Sequence, residues 1–259
     1  MRVLVLSGGG SHGAWQAGAI KALAEKYHYD AVVGSSVGAV NAVGLSCVGA
    51  IGLERLWASI GGTGGVMKFN WQWPWQWEGV FTFSPLRTLL QKELVLSKPS
   101  TPVYICTTNL ETGELCHDLV TENVEATVDL LLGSCALAGI QAPTNNRIDG
   151  GHRDQVPIAY AINELRATEV HVVVADPVQQ SMGTWARWSF FPILSIMLRA
   201  LGCMINEIFR SDLDRYKDRV KVFAPKMPLP YSSLEYNSAD IQEAFEEGYQ
   251  ETRDALSMA

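Results

Sequence analysis

The sequence predicts an α/β fold with a mostly parallel central sheet and helices on both faces. Three observations carry that expectation. Short apolar runs alternate with stretches of helical periodicity. The first two apolar runs each end in a glycine-containing loop from which a helix starts. No long repeat, low-complexity tract or linker divides the 259 residues, so one domain spanning 1–259 is expected. Apolar residues make up 47% and charged residues 18%, a composition that supplies a sizeable core.

The elements follow in order. Residues 2–6 read as a buried strand that runs into Ser7-Gly8-Gly9-Gly10. Over residues 12–26, Trp15, Ala19, Ile20, Leu23 and Ala24 recur at helical spacing, with Lys21 and Glu25 one turn apart on the other face. Residues 31–33 supply a second strand and 37–48 a second helix rich in small residues. Ser84-Pro85 predicts a helix start, with serine at the N-cap and proline at the first helical position. Residues 103–108 and 114–119 flank Glu111-Thr112-Gly113 as a β-hairpin. Residues 170–175 and 220–223 read as further strands, and 239–256 as a charged terminal helix.

A formal net charge of −7 argues against a nucleic-acid surface, which needs clustered Lys and Arg to neutralise phosphates. It also argues against a broad electrostatic grip on anionic lipid. The five cysteines, Cys47, Cys106, Cys116, Cys135 and Cys203, show no metal-ligand spacing and read as buried thiols of a reducing compartment, with a disulfide between Cys106 and Cys116 across the hairpin left open. The opening residues lack the features of a signal peptide, so the expected location is cytoplasmic, with peripheral membrane contact left open. Residues 31–53 carry no charge and are long enough to span a bilayer, but their serines, glycines and required sharp turn suit a buried strand and helix better.

Three motifs carry chemistry. Gly34-Ser35-Ser36-Val37-Gly38 fits G-x-S-x-G between a strand and a helix, the setting of a nucleophilic serine on a tight elbow. Side chains two residues either side of that serine would collide, hence the glycines, and the helix N-terminus beyond favours a developing negative charge. Gly8-Gly9-Gly10-Ser11-His12-Gly13 fits G-x-G-x-x-G and has two uses. One is a dinucleotide loop, but the second strand ends without the acidic ribose anchor, and Asp30 lies at its beginning. The other is an oxyanion hole of backbone N–H groups. Asp149-Gly150-Gly151 is the third motif, and alone it is an ordinary turn.

In this order the three motifs resemble the patatin-like phospholipase family. The likeness extends to residues 14–18, residues 109–114 and Gln155-Val156-Pro157, covers most of the first 160 residues, and fades thereafter. It implies a three-layer α/β/α fold and a Ser-Asp dyad, with Ser36 as nucleophile, Asp149 as base and the N–H groups of Gly9, Gly10 and Ser11 as oxyanion hole. Members usually carry Arg or Lys where His12 stands. The implied activity is hydrolysis of phospholipid or other acyl-ester lipid, of phospholipase A or lysophospholipase type, through an acyl-enzyme and without metal or other cofactor. Activation by a partner and homo-oligomerisation stay open. A histidine base, His152 or His12, is the rival mechanism. From other classes, a nucleotide-binding α/β protein and a catalytically silent lipid-binding module are the alternatives.

Two segments are expected as lid or membrane contacts. Residues 61–82 hold the run Trp71-Gln72-Trp73-Pro74-Trp75-Gln76-Trp77, whose bland reading is a cover over the core and whose functional reading is a lid or interfacial anchor. Residues 179–205 hold a strongly apolar stretch between Arg187 and Arg199, for which a buried helix is expected ahead of a membrane-docking one.

Overall fold

The computed structural model describes residues 1–72, 79–94, 98–178 and 192–258. In chain order its strands are β1 (Arg2–Leu6), β2 (Ala31–Ser35), β3 (Lys68–Phe69), β4 (Phe81–Thr82), β5 (Val103–Asn109), β6 (Leu115–Leu119), β7 (Arg147–Asp149), β8 (Glu169–Val173) and β9 (Lys221–Phe223). Its α-helices are α1 (Gly13–Lys26), α2 (Val37–Ala58), α3 (Ser84–Leu89), α4 (Val124–Ser134), α5 (Ile158–Asn163), α6 (Pro192–Tyr216) and α7 (Ser238–Ser257).

Seven strands form the main sheet in the order β6-β5-β2-β1-β8-β9, with β7 also paired to β5; β3 and β4 form a separate two-stranded hairpin. The pairings from β5 through β2, β1 and β8 to β9 are all parallel, while β6 and β7 run antiparallel to β5. Strand alternation makes two cores. Leu4, Leu6 and Val32 pack with α1, α2, α4 and α7, whereas Val3, Val5, Ala31 and Val33 pack with α5 and α6 on the opposite face. This is the expected three-layer α/β/α arrangement. From β1 the chain moves to β2 on one side and later returns to β8 on the other, and a crevice at strand C-termini forms where the order reverses.

Local chemistry explains several boundaries. Glycines bring α1 and α7 into backbone contact: a side chain at Gly18 would strike the Phe245 carbonyl, and one at Gly248 the Trp15 carbonyl. The rows of α1 are also tied down by a buried polar network. Gln16 Nε2 donates to the carbonyls of Ser7 (3.2 Å) and Val173 (2.9 Å), Asn41 Nδ2 donates to Gln16 Oε1 (2.9 Å), and Trp57 Nε1 donates to Asn41 Oδ1 (2.8 Å). That network joins α1 and α2 to the ends of β1 and β8.

Some expectations need correction. Ser84 does not cap α3, which begins at Ser84 itself after Phe83, with no side-chain cap. On the outer face of α1, Lys21 Nζ meets Glu54 at 2.8 Å, and Glu25 accepts from the Tyr249 hydroxyl. The hairpin register sets Cys106 opposite His117 and Cys116 opposite Thr107, so the two thiols project from opposite faces and cannot bridge. Helix α2 is long and apolar enough to cross a membrane, but 56% of its apolar window is buried, and it bends at Gly49, whose φ is +69°.

Candidate active site

Strand β5 brings the two principal side chains together. Strand β6 occupies one of its edges from Tyr104 to Thr108, so β2 and β7 must share the other. On that edge Ser35 pairs with Cys106 and Asp149 with Thr107, which are consecutive residues. Ser36, just beyond β2, therefore meets the end of β7. Asp149 thus closes a short strand rather than sitting in an isolated turn, and its N–H donates to the Ala136 carbonyl at 3.0 Å.

Ser36 holds φ +53° and ψ −128°, a region that side chains rarely occupy and that costs about 1–3 kcal/mol. The glycines around it are sterically required: a Cβ at Gly34 would strike the Gly38 carbonyl, and one at Gly38 would stand 2.5 Å from the Leu6 and Ser7 carbonyls. The elbow is pinned from the side. Ser36 N–H donates to Ser134 Oγ at 2.9 Å, and the Ser134 hydroxyl donates to the Cys106 carbonyl at 2.7 Å. Sequence reasoning missed Ser134, because a serine at the end of an apolar helix carries no signal of its own.

Asp149 is 5% exposed, and its carboxyl lies within reach of the Ser36 side chain. Its Oδ1 accepts from Gly151 N–H at 2.7 Å. Burial pushes its pKa up, against the opposing pull of Ser36, Gly151 N–H and nearby His152. His152 Nδ1 meets the Asp149 carbonyl at 2.7 Å, while its buried Nε2 has no hydrogen-bond partner among the described residues. Cys135 also contacts the Ser36 hydroxyl, and burial raises its thiol pKa, keeping it protonated.

The first glycine turn lies beside this pair. Gly8 N–H donates to the Gln155 carbonyl at 3.3 Å, and Ser11 N–H to the Ser233 carbonyl at 2.8 Å. Ser11 is thereby removed from the expected set of oxyanion donors, since its N–H is already spent. Among the described residues the N–H groups of Gly9 and Gly10 have no backbone acceptor. Gly13 packs against Val37 and Trp57 instead of facing the site. Asp30 accepts from the Arg2 N–H at the opposite end of the sheet, so the dinucleotide use of the turn has no ribose anchor here.

Ser36, Asp149 and Gly8, Gly9 and Gly10 line one cavity of about 540 Å³. Its remaining wall is largely apolar, with Val40, Trp57, Leu86, Leu90, Ile140 and Tyr236 prominent, and its other rim carries Asp176, Arg199 and Asn206. No histidine belongs to that lining among the described residues. Nor is any group of three or more His, Cys, Asp or Glu side chains placed to hold a metal ion among them.

Of the two expected contact segments, the first is partly described. Val66 reaches the cavity wall, and Trp71 is 81% exposed with only an edge contact to Phe69; residues 73–78, with the other tryptophans of the run, lie outside the described residues. In the second segment, residues 179–191 lie outside them too. Helix α6 then begins at Pro192 and continues to Tyr216. It is not simply buried: Gly202, Ile205 and Phe209 line the cavity, whereas Ile196, Met197 and Met204 are at least half exposed.

No curated protein sequence matches the chain. Among solved structures, VipD from Legionella pneumophila aligns with a TM-score of 0.49 and 15% identity, over 99% of this chain and 67% of that one. The family profile described as patatin-like phospholipase matches residues 4–162, a stretch that holds the glycine turn, the serine elbow and the Asp-Gly-Gly strand end. With more than half its length so matched, the chain belongs to the patatin-like phospholipase family of lipid acyl hydrolases.

Proposed function

We propose that the protein cleaves carboxylic esters of phospholipids or lysophospholipids, with Ser36 as nucleophile and Asp149 as base. One observation carries this: a hydroxyl on a strained elbow stands beside a buried carboxyl in the lining of a largely apolar cavity. Ser36 Oγ bonds to the ester carbonyl carbon as its proton passes to Asp149. The oxygen of the tetrahedral intermediate takes the negative charge facing the Gly9 and Gly10 amides, with Val37 N–H at the start of α2 as a third donor. The C–O bond then breaks, and the leaving alcohol recovers the proton from Asp149. Water attacks the acyl-enzyme, gives its proton to Asp149, and the released Ser36 oxygen takes it back as the fatty acid departs. The apolar wall accommodates the acyl chain. A raised pKa suits a carboxyl that must accept a proton near neutral pH.

Treatment with a fluorophosphonate probe followed by peptide mass spectrometry is expected to place the label on Ser36, with none on a Ser36→Ala variant. A panel of glycerophospholipids and lysophospholipids then identifies the ester cleaved. Labelling elsewhere, or none, would sink the assignment.

The exposed side of α6 is the proposed lipid-contact surface, since its inner side already walls the cavity. Flotation with phosphatidylcholine vesicles should show wild type bound and an Ile196/Met197/Met204 triple serine variant released. Equal flotation of the two proteins removes α6 from that role.

A further inference from the structure

The glycine turn is clamped by a segment far away in sequence. Three consecutive carbonyls, those of Tyr231, Ser232 and Ser233, face His12 Nε2 at 3.0 Å, Ser11 Oγ at 3.1 Å and Ser11 N–H at 2.8 Å. Gly10, at φ +57°, lies so close beneath this strap that a side chain there would strike the Ser233 carbonyl. On its other side the turn packs against the chain leaving β8, where a Cβ at Gly9 would strike Ala175. His12 crosses between the two walls, its Nδ1 at 2.7 Å from Asp176 Oδ1 and its Nε2 on the strap.

Both partners of the ring are acceptors. A backbone carbonyl has no proton to give, nor has an ionised carboxylate. A neutral imidazole has one N–H, so it satisfies one partner and turns a lone pair on the other. Only the imidazolium donates to both. We propose that His12 is a positioning residue that, while doubly protonated, fastens the Gly8-Gly9-Gly10 turn between Asp176 and the 231–233 strap, and releases one side when it loses a proton. This rests on the hydrolase reading for its consequence in turnover, because the same turn presents the Gly9 and Gly10 amides to the cavity.

The surroundings support the charged form. Burial of the ring lowers its pKa, but the hydrogen bond and charge of Asp176 and the Tyr231 carbonyl outweigh it, and the net direction is up. Asp176, at the end of β8, is the anionic group in direct contact. From the strap, the Tyr231 ring meets the imidazole edge-on at 5.3 Å, and burial raises its hydroxyl pKa, keeping it neutral. From α7, Asp240, Glu243 and Glu247 add negative charge around Tyr231. A raised histidine pKa means that the fastening is complete at low pH and is lost as pH rises through the folded value.

The test is a pH profile of short-chain ester hydrolysis, paired with NMR. Wild type is expected to lose activity by roughly tenfold per pH unit on an alkaline limb above the ordinary histidine range. In a His12→Arg variant, which keeps its charge, that limb should disappear. In an Asp176→Asn variant, which removes the stabilising carboxylate, it should move to lower pH. A limb unchanged in both variants overturns the proposal. In the NMR arm, titration of the His12 ring in wild type should move the Gly9 and Gly10 amide resonances with the same midpoint; unmoved amides overturn it independently of turnover. If wild type neither hydrolyses esters nor labels at Ser36, the hydrolase reading fails, and the NMR arm still decides whether His12 protonation fastens the turn.

Discussion

Changing Asp149 to Asn is expected to lower turnover by roughly 10²–10⁴-fold while raising resistance to unfolding at neutral pH. The first effect follows from the proposed proton transfer: an amide retains the shape of the carboxyl but cannot accept the Ser36 proton. The second follows from where the carboxyl sits. Burial raises its folded pKa above the unfolded value, and the lowering pull of the Ser36 side chain and the Gly151 N–H does not fully offset that. A raised carboxyl pKa contributes stability below the unfolded value that is lost as pH climbs through the folded one. Above it the native protein carries a buried negative charge with few partners. Asparagine keeps Oδ1 for the Gly151 N–H, now 2.7 Å from Asp149 Oδ1, and has no charge to bury. Steady-state hydrolysis and urea unfolding at pH 7 read the two effects separately. Turnover equal to wild type would refute the dyad, and a variant less stable than wild type would refute the buried-charge account. A His152→Ala variant provides the comparison for a histidine base: it should keep most of its activity, because His152 addresses the Asp149 carbonyl and lies outside the cavity lining.

Much of this site was legible because its signals are local. The continuous apolar runs of β1 and β2, the glycines at 34 and 38 and the turn after β1 each declare a conformation within a few residues. Even Gly18 was visible as part of a resemblance, although its reason, contact with the backbone of α7, requires a partner more than 200 residues away. What sequence could not supply is non-local. Strand β7 is only three residues long, too short for a periodic pattern, yet its register on β5 places Asp149. Ser134 acts through a hydrogen bond to the elbow that no spacing announces. The strap at 231–233 has no regular structure and holds the turn through backbone carbonyls, which every residue owns. Its proximity removed Ser11 from the expected donor set and gave His12 one of its two acceptors, the other being Asp176. Helix α6 was harder to read because its apolar residues serve two surfaces, the cavity and solvent, which hydropathy does not separate.

A second carboxyl beside the site should dominate the pH dependence of stability without taking part in turnover. Asp154 is 6% exposed, its Oδ1 has no hydrogen-bond partner among the described residues, and its Oδ2 stands 3.9 Å from His117 Nε2, too far for a hydrogen bond. Burial, with repulsion from Asp212, pushes its pKa up to about 7 despite a bond from Val156 N–H. His117, stacked on Tyr160 at 4.0 Å, is driven down by burial to about 4, so between these values both groups are neutral and no ion pair forms. The signs oppose each other. Asp154 costs stability as pH rises from the unfolded carboxylate value to about 7, whereas His117 costs stability as pH falls from its unfolded value to about 4. At pH 8 His117 is neutral in both folded and unfolded chains and offers no compensation, leaving the ionised Asp154 unpaired. An Asp154→Asn variant should therefore be more stable than wild type there by on the order of 3–4 kcal/mol, with the difference vanishing towards pH 4. Between those limits the variant should lose the Asp154 contribution and keep that of His117, so its advantage over wild type grows as pH rises. Urea unfolding of both proteins from pH 4 to 8 measures the difference directly. A difference that stays constant across that range would mean the asparagine merely repacks the site, and that Asp154 holds no buried charge in the folded protein.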